Sequence, residues 1–187
     1  FADEVGALLH IEPRLQKVEV KTFTKGTELK ISPQQSREEI IAYLQDKAHE
    51  GNASAILSFY ARRDMSLTDW TPFIKAAVER NPVCRLDCQD RSLPQIEAVL
   101  KTMPDESIYP EPDRLAQPDE VWNFQRGDGL EKAFLFWNIV KERFADAQGE
   151  LCVEDGKVTL VCRTPDAREI YRFEAPSAKN LKTRFSL

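Results

Sequence analysis

Basic side chains near three predicted helix starts are the residues best suited to bind an anion. They are Arg62, Arg63, Arg91, Arg126 and Lys132. The first three follow the ends of two predicted strands, where free backbone amides and the dipole of the next helix attract negative charge. Arginine also binds phosphate and carboxylate groups through paired hydrogen bonds. The pattern predicts an anion site. The alternative is that these are ordinary solvated charges and that Ser66 and Ser92 only cap helices.

The histidines and cysteines do not form a pattern typical of a metal or redox site. His10 and His49 fall in different predicted helices, and the spacing of the four cysteines gives neither CxxC nor a disulfide framework. Cys84 and Cys88 lie on one predicted strand with Cα atoms ~13 Å apart, which is beyond disulfide reach. We therefore expect no metal and no cofactor, with the cysteines serving as small buried hydrophobic residues.

One short segment resembles a catalytic motif. Residues 127–133, Gly-Asp-Gly-Leu-Glu-Lys-Ala, resemble the nucleophile segment of transglutaminase-like cysteine enzymes, in which Gly-Asp-Cys precedes a helix. That family also needs a histidine and an acid on the following strands. Gly129 stands at the cysteine position, and no histidine follows residue 49. The resemblance therefore implies at most a relative without catalytic activity, and no catalytic residue is assigned.

Composition narrows the class of protein. The 187 residues are 42% hydrophobic and 30% charged, which is typical of a soluble globular protein. A net charge of −5 argues against a dedicated nucleic-acid binder, because such proteins neutralise phosphates with Lys and Arg. No apolar run approaches the ~18 residues of a membrane-spanning helix. The compartment stays open, with a cytoplasmic location favoured over secretion.

The first hundred residues predict alternating strands and helices. A hairpin is expected over residues 17–31 with its turn at Lys25 and Gly26. A capping box from Ser36 to Glu39 opens a helix. The apolar run 53–61 predicts a strand covered on both faces, and residues 83–88 predict a second short strand. The order β-β-α-β-α-β-α predicts an α/β or α+β fold, with a mixed sheet built from the hairpin plus βαβα units.

Residues 103–120 interrupt this alternation. They contain four prolines and six acidic side chains. A connection of this length is uncommon within a compact domain and is usually a functional loop or a linker. We therefore divide the chain into a mixed α/β half (1–103), a Pro-rich acidic connection (104–120) and a C-terminal part (121–187), packed together as one domain.

The C-terminal part predicts a buried helix followed by an antiparallel three-stranded meander. Asp128 and Glu131 have the spacing of a helix cap, and apolar residues then recur on more than one side of the helix. Asp155-Gly156 is a strong hairpin signal, and pairing Glu154 with Lys157 places the apolar residues of both strands on one face. Residues 169–174 supply the third strand.

Two functions remain open. The first is a non-catalytic ligand-binding or protein-interaction domain, whose partner is an unknown protein or an anionic small molecule. The alternative is a small enzyme acting on a phosphate- or carboxylate-bearing substrate held by the arginine cluster. A deep cleft joining Arg62 and Arg91 to Asp87 would favour the enzyme, and a flat apolar patch would favour the interaction domain.

Overall fold

The computed structural model describes residues 28–66, 68–179 and 183–187, which form an α+β fold of seven helices and four strands. The helices are α1 Arg37–His49, α2 Ala53–Arg62, α3 Thr71–Glu79, α4 Pro82–Asp87, α5 Leu93–Thr102, α6 Pro118–Phe124 and α7 Gly129–Arg143. The strands are β1 Gln148–Glu154, β2 Lys157–Arg163, β3 Glu169–Pro176 and β4 Thr183–Ser186. Among these residues, no helix has the length and apolar character needed to cross a membrane.

The four strands form one antiparallel sheet in the order β3-β2-β1-β4. β1 and β2 pair with Glu154 opposite Lys157, as predicted. Asp155 and Gly156 both have positive φ, at 49° and 73°, which matches the twist of the flanking strands. The meander of β1, β2 and β3 is therefore confirmed, and β4 adds an unpredicted strand on the free edge of β1.

Helix α7 is the centre of the hydrophobic core. Every residue from Gly129 to Val140 is buried, and the Phe136 ring stacks on Phe173 of β3 with centroids 5.3 Å apart. The predicted capping box is present, because Asp128 accepts from the Leu130 amide and Glu131 accepts from the Asp128 amide. The prediction of a helix buried on more than one side is confirmed.

The two strands predicted after the hairpin are helices, so the βαβα prediction was wrong. Residues 53–61 belong to α2, where Asn52 caps the helix by accepting from the Ala55 amide. Ala55 and Phe59, four residues apart, face the core, while Leu57 is 64% exposed. An apolar run of this length fits a strand or a helix equally well, and only the fold decides between them.

The strand predicted over residues 83–88 is a helix for a different reason. Residues 83–88 lie on and just after α4, which starts with Pro82 at its first position. Asp119 of α6 accepts from the backbone amides of Val83 and Cys84, so a distant side chain caps this helix. Cys84 and Cys88 are then buried on one helix face instead of one strand face. The described sheet therefore has no parallel part.

The predicted hairpin over residues 17–31 lies almost wholly outside the described residues. Its described portion, residues 28–31, has no regular secondary structure. The Pro-rich connection is shorter than predicted, because Pro118 begins α6. We call residues 103–117, which join α5 to α6, the strap.

Candidate functional site

The strap is fixed to the rest of the chain at several points. Near its end, the Met65 amide donates to the Asp113 carbonyl at 2.7 Å, and Asp64 forms a β-bridge with Arg114. Its Ser107 hydroxyl and Ala116 amide both donate to Glu131 of α7, at 2.7 and 2.8 Å. A segment without helix or strand is therefore positioned by hydrogen bonds to two different helical regions.

Three arginines from separate elements converge on one carboxylate of the strap. Arg37 at the start of α1 donates to Glu111 Oε1 at 2.5 Å, and Arg62 at the end of α2 donates to the same oxygen at 3.2 Å. Arg114 Nη1 lies 3.7 Å from Glu111 Oε2, and Arg114 Nε donates to the Arg62 carbonyl at 3.0 Å. We call Arg37, Arg62 and Arg114 the arginine triad.

The arginine triad lines an open surface cavity of about 380 Å³. Ile40 and Ile41 of α1 supply its apolar wall. The three guanidinium groups that line it and the Glu111 carboxylate that they contact together carry a net charge of +2 (three minus one). The arrangement therefore suits a ligand that carries negative charge next to an apolar portion.

Glu111 does not satisfy all of the groups around it. Among the described residues, neither Arg62 Nε nor Glu111 Oε2 has a hydrogen-bond partner, although both atoms are buried. Partial burial would raise the pKa of the Glu111 carboxyl. The hydrogen bond from Arg37 and the charges of Arg114 and Arg62 outweigh this effect and hold that pKa below its ordinary value. Glu111 is therefore a carboxylate near neutral pH.

Arg63, the neighbour of Arg62, has a structural role instead. It donates to both carboxylate oxygens of Glu120, at 2.5 and 3.0 Å. The ring of Tyr109 lies 5.2 Å from its guanidinium and 3.7 Å from that of Arg114. Burial would lower the pKa of Arg63, but the Glu120 hydrogen bond outweighs it and raises that pKa. This fork-to-fork pair joins the end of α2 to the start of α6, and Tyr109 of the strap donates to the same carboxylate at 3.2 Å.

The other three predicted anion ligands lie apart from the arginine triad. The Arg91 guanidinium is 5.7 Å from the ring of Trp122, and Trp122 donates to Asp87 at 2.8 Å. Arg126 pairs with Glu106 of the strap at 2.5 Å. The five predicted residues are thus not brought into one site, because each has its own acidic or aromatic partner. The reason is that the parallel strand ends on which that prediction depended are absent from the described sheet.

Lys132 is 1% exposed, and its ammonium group makes its contacts inside the protein. Its ammonium group donates to the Met103 carbonyl at 2.7 Å and to Asp105 at 2.6 Å. Nearby, Glu131 is fully buried and lies 3.3 Å from the ammonium group of Lys179. The predicted ligand Lys132 is therefore one of several buried charges that attach both ends of the strap region to α7.

Gly129 explains why the resemblance to cysteine enzymes stops at the nucleophile. A Cβ atom at this position would lie 2.1 Å from the carbonyl oxygen of Pro176 and 3.0 Å from Cβ of Ala175. Glycine is therefore required where α7 meets the end of β3, and a cysteine does not fit there without moving backbone. The Gly-Asp-Gly segment is a helix start and a packing contact.

Arg37 and Arg114 are the site residues that the sequence did not reveal. Arg114 lies inside the acidic connection, and Arg37 is a helix-start residue 25 positions before Arg62. The only local signal was the presence of a basic residue in the Pro-rich segment. Their meeting depends on the tertiary path of the strap.

Comparison of the chain with models of protein families, with curated protein sequences and with solved structures finds no significant match. In the part of the chain that the structure describes, no three His, Cys, Asp or Glu side chains group closely enough to hold a metal ion.

Proposed function

We propose that this chain is a non-catalytic binding domain whose site is the cavity of the arginine triad, and that its ligand carries a carboxylate or phosphate group. The observation that supports this most strongly is the convergence of Arg37, Arg62 and Arg114 on the single carboxylate of Glu111. Three cations gathered around one anion cost repulsion, which a further negative group would relieve.

Binding is favoured over catalysis because of where Asp87, the acid named for the enzyme alternative, lies. The enzyme alternative requires Asp87 beside Arg62, but Asp87 accepts from Trp122 and belongs to the surroundings of Arg91. The cavity wall of Ile40 and Ile41 supplies apolar contact and no proton-transfer group.

Titration calorimetry at low salt tests the proposal, with inorganic phosphate and glutarate as probes. We expect saturable binding in the millimolar range, and we expect Arg62→Gln to weaken it about tenfold, since a charge-assisted hydrogen bond is lost. Low salt matters because screening weakens contacts made by guanidiniums that reach solvent, above all that of Arg37, whose side chain is 65% exposed.

Arg172→Gln is the matched control. It removes the same charge from an exposed arginine that pairs with Glu169 at 3.0 Å on the sheet. The control is expected to bind like the unchanged protein. Equal weakening by Arg62→Gln and Arg172→Gln would show only a general charge effect and would refute the assigned site.

A further inference from the structure

The residues around Glu111 form a defined sequence context. The segment reads Tyr109-Pro110-Glu111-Pro112, so the acidic residue has a proline on each side. Each proline fixes its own φ, and Pro112 also restricts the backbone of the residue before it. The carboxylate is thus presented to the arginine triad by a stiff backbone, at low cost in conformational entropy.

We propose that the ligand of the arginine triad is an acidic side chain in a proline-flanked segment of a partner protein, and that Glu111 is the internal mimic of that ligand. This inference depends on the proposed function and adds the partner class and its competitor. The two hydrogen bonds that Glu111 accepts, from Arg37 and Arg62, are those that an incoming carboxylate would accept.

The carboxylate of Glu111 does not satisfy all of the hydrogen-bond donors of the arginine triad. Each guanidinium carries five N–H donors, so the arginine triad offers many more donors than one carboxylate can use. Among the described residues, the buried Arg62 Nε lacks an acceptor, and Arg114 approaches Glu111 only to 3.7 Å. A carboxylate not tethered to the strap can sit where it satisfies these donors as well.

Glu111 also lines a second cavity, of about 470 Å³. This cavity is formed by strap residues together with Arg126, Asp128 and the chain around Lys179. Rotation of the Glu111 side chain into this cavity would free the arginine triad without burying the carboxylate in an apolar core.

Release of Glu111 does not require release of the strap. The strap keeps its hydrogen bonds through Ser107 and Ala116 to Glu131, and its contact between Asp113 and Met65. Variants at Glu111 are therefore expected to fold, and they isolate the competition between internal and external carboxylates.

A carboxylate fits the cavity better than a phosphate for two reasons. The group that Arg37 and Arg62 already bind is the carboxylate of Glu111, and Ile40 and Ile41 provide an apolar wall for side-chain methylenes and proline rings. A bare inorganic anion makes no use of that wall. We therefore expect an acidic peptide to bind more tightly than inorganic phosphate.

The test uses a synthetic peptide that copies residues 107–115, Ser-Ile-Tyr-Pro-Glu-Pro-Asp-Arg-Leu, labelled for fluorescence anisotropy. Removing a tethered competitor raises apparent affinity. Glu111→Ala and Glu111→Gln are thus expected to bind the peptide about tenfold more tightly than the unchanged protein. A peptide with Gln in place of its Glu should lose this gain, as should the double variant Glu111→Ala, Arg62→Gln.

The outcomes separate the two proposals. Saturable binding with the same affinity in the unchanged protein and both Glu111 variants would overturn the mimic while leaving the binding domain in place. No binding of peptide, glutarate or phosphate by any variant would overturn both. Tighter binding of phosphate than of peptide would overturn the carboxylate partner. Dimerisation of Glu111→Ala, measured by sedimentation, would assign the pocket to the strap of a second copy and overturn a separate partner.

Discussion

Replacing Gly129 by alanine tests the packing of α7 on the sheet, which holds the strap and the site in place. The new Cβ would lie 2.1 Å from the Pro176 carbonyl oxygen and 2.9 Å from its carbon. Non-bonded heavy atoms prefer roughly 3.5 Å or more, so backbone must move by about 1 Å. Overpacking of this kind costs about 3 kcal/mol when no flexible side chain can yield. The midpoint of thermal unfolding should fall by about 6–12 °C in a chain of this size.

The assay is urea unfolding followed by tryptophan fluorescence, because Trp137 lies buried on α7. Gly51→Ala is the control: Gly51 has φ +82°, but a Cβ there meets nothing within 4 Å. The control should lose only about 1 kcal/mol, through backbone strain alone. Gly129→Cys should be as unstable as Gly129→Ala. Equal losses for Gly129→Ala and Gly51→Ala would refute the close contact between α7 and β3.

Three further predictions concern charges and thiols. Lys179→Met leaves the fully buried Glu131 without its cationic partner and should cost about 3 kcal/mol in urea unfolding. Cys152 is half-buried and should be the one cysteine alkylated in the folded protein at pH 8, as read by mass spectrometry. Burial raises the pKa of the other three thiols, so they should react only in urea. Burial alone would raise the pKa of Glu120, but the hydrogen bond from Arg63 outweighs it and lowers that pKa. A carboxyl with a lowered folded pKa stabilises above its unfolded pKa, and this stability is lost as the pH falls. The free energy of unfolding should therefore drop below about pH 5, and less steeply in Glu120→Gln.

A specific outcome would contradict each of these three predictions. Lys157→Met, which breaks an exposed pair with Glu174, should change stability little, and a loss equal to that of Lys179→Met would contradict the buried pair. Rapid labelling of Cys84 in the folded protein would contradict its full burial. An acid profile unchanged by Glu120→Gln would contradict the stabilising role of the Arg63 pair.

Local signals in the sequence were enough to find the C-terminal half. The cap formed by Asp128 and Glu131 fixes where α7 begins, and the Asp155-Gly156 turn sets the register of β1 and β2. Both signals act within a few residues, so they do not depend on the rest of the fold. The alternation of apolar residues then identifies the buried face of the sheet.

The arginine triad and the helices α2 and α4 depend on distant contacts. Asp119 caps α4 from 35 and 36 positions away, and Arg37 meets Glu111 across 74 positions. Single-sequence patterns carry no record of such pairings. The predicted anion site included Arg62 as a residue after a strand end, whereas Arg62 ends α2 and its neighbours in space come from α1 and the strap.

The most direct test of the account is the Nε–H signal of Arg62 in protein labelled with nitrogen-15 arginine, followed by NMR as the acidic peptide is added to Glu111→Gln. We expect a saturable shift of the Arg62 and Arg37 signals, because a new carboxylate accepts from the arginine triad. The Arg143 signal should stay unchanged, since that guanidinium donates to the Cys88 carbonyl away from the site. Unchanged Arg62 and Arg37 signals, or equal shifts of all arginines, would contradict the arginine triad as the binding site.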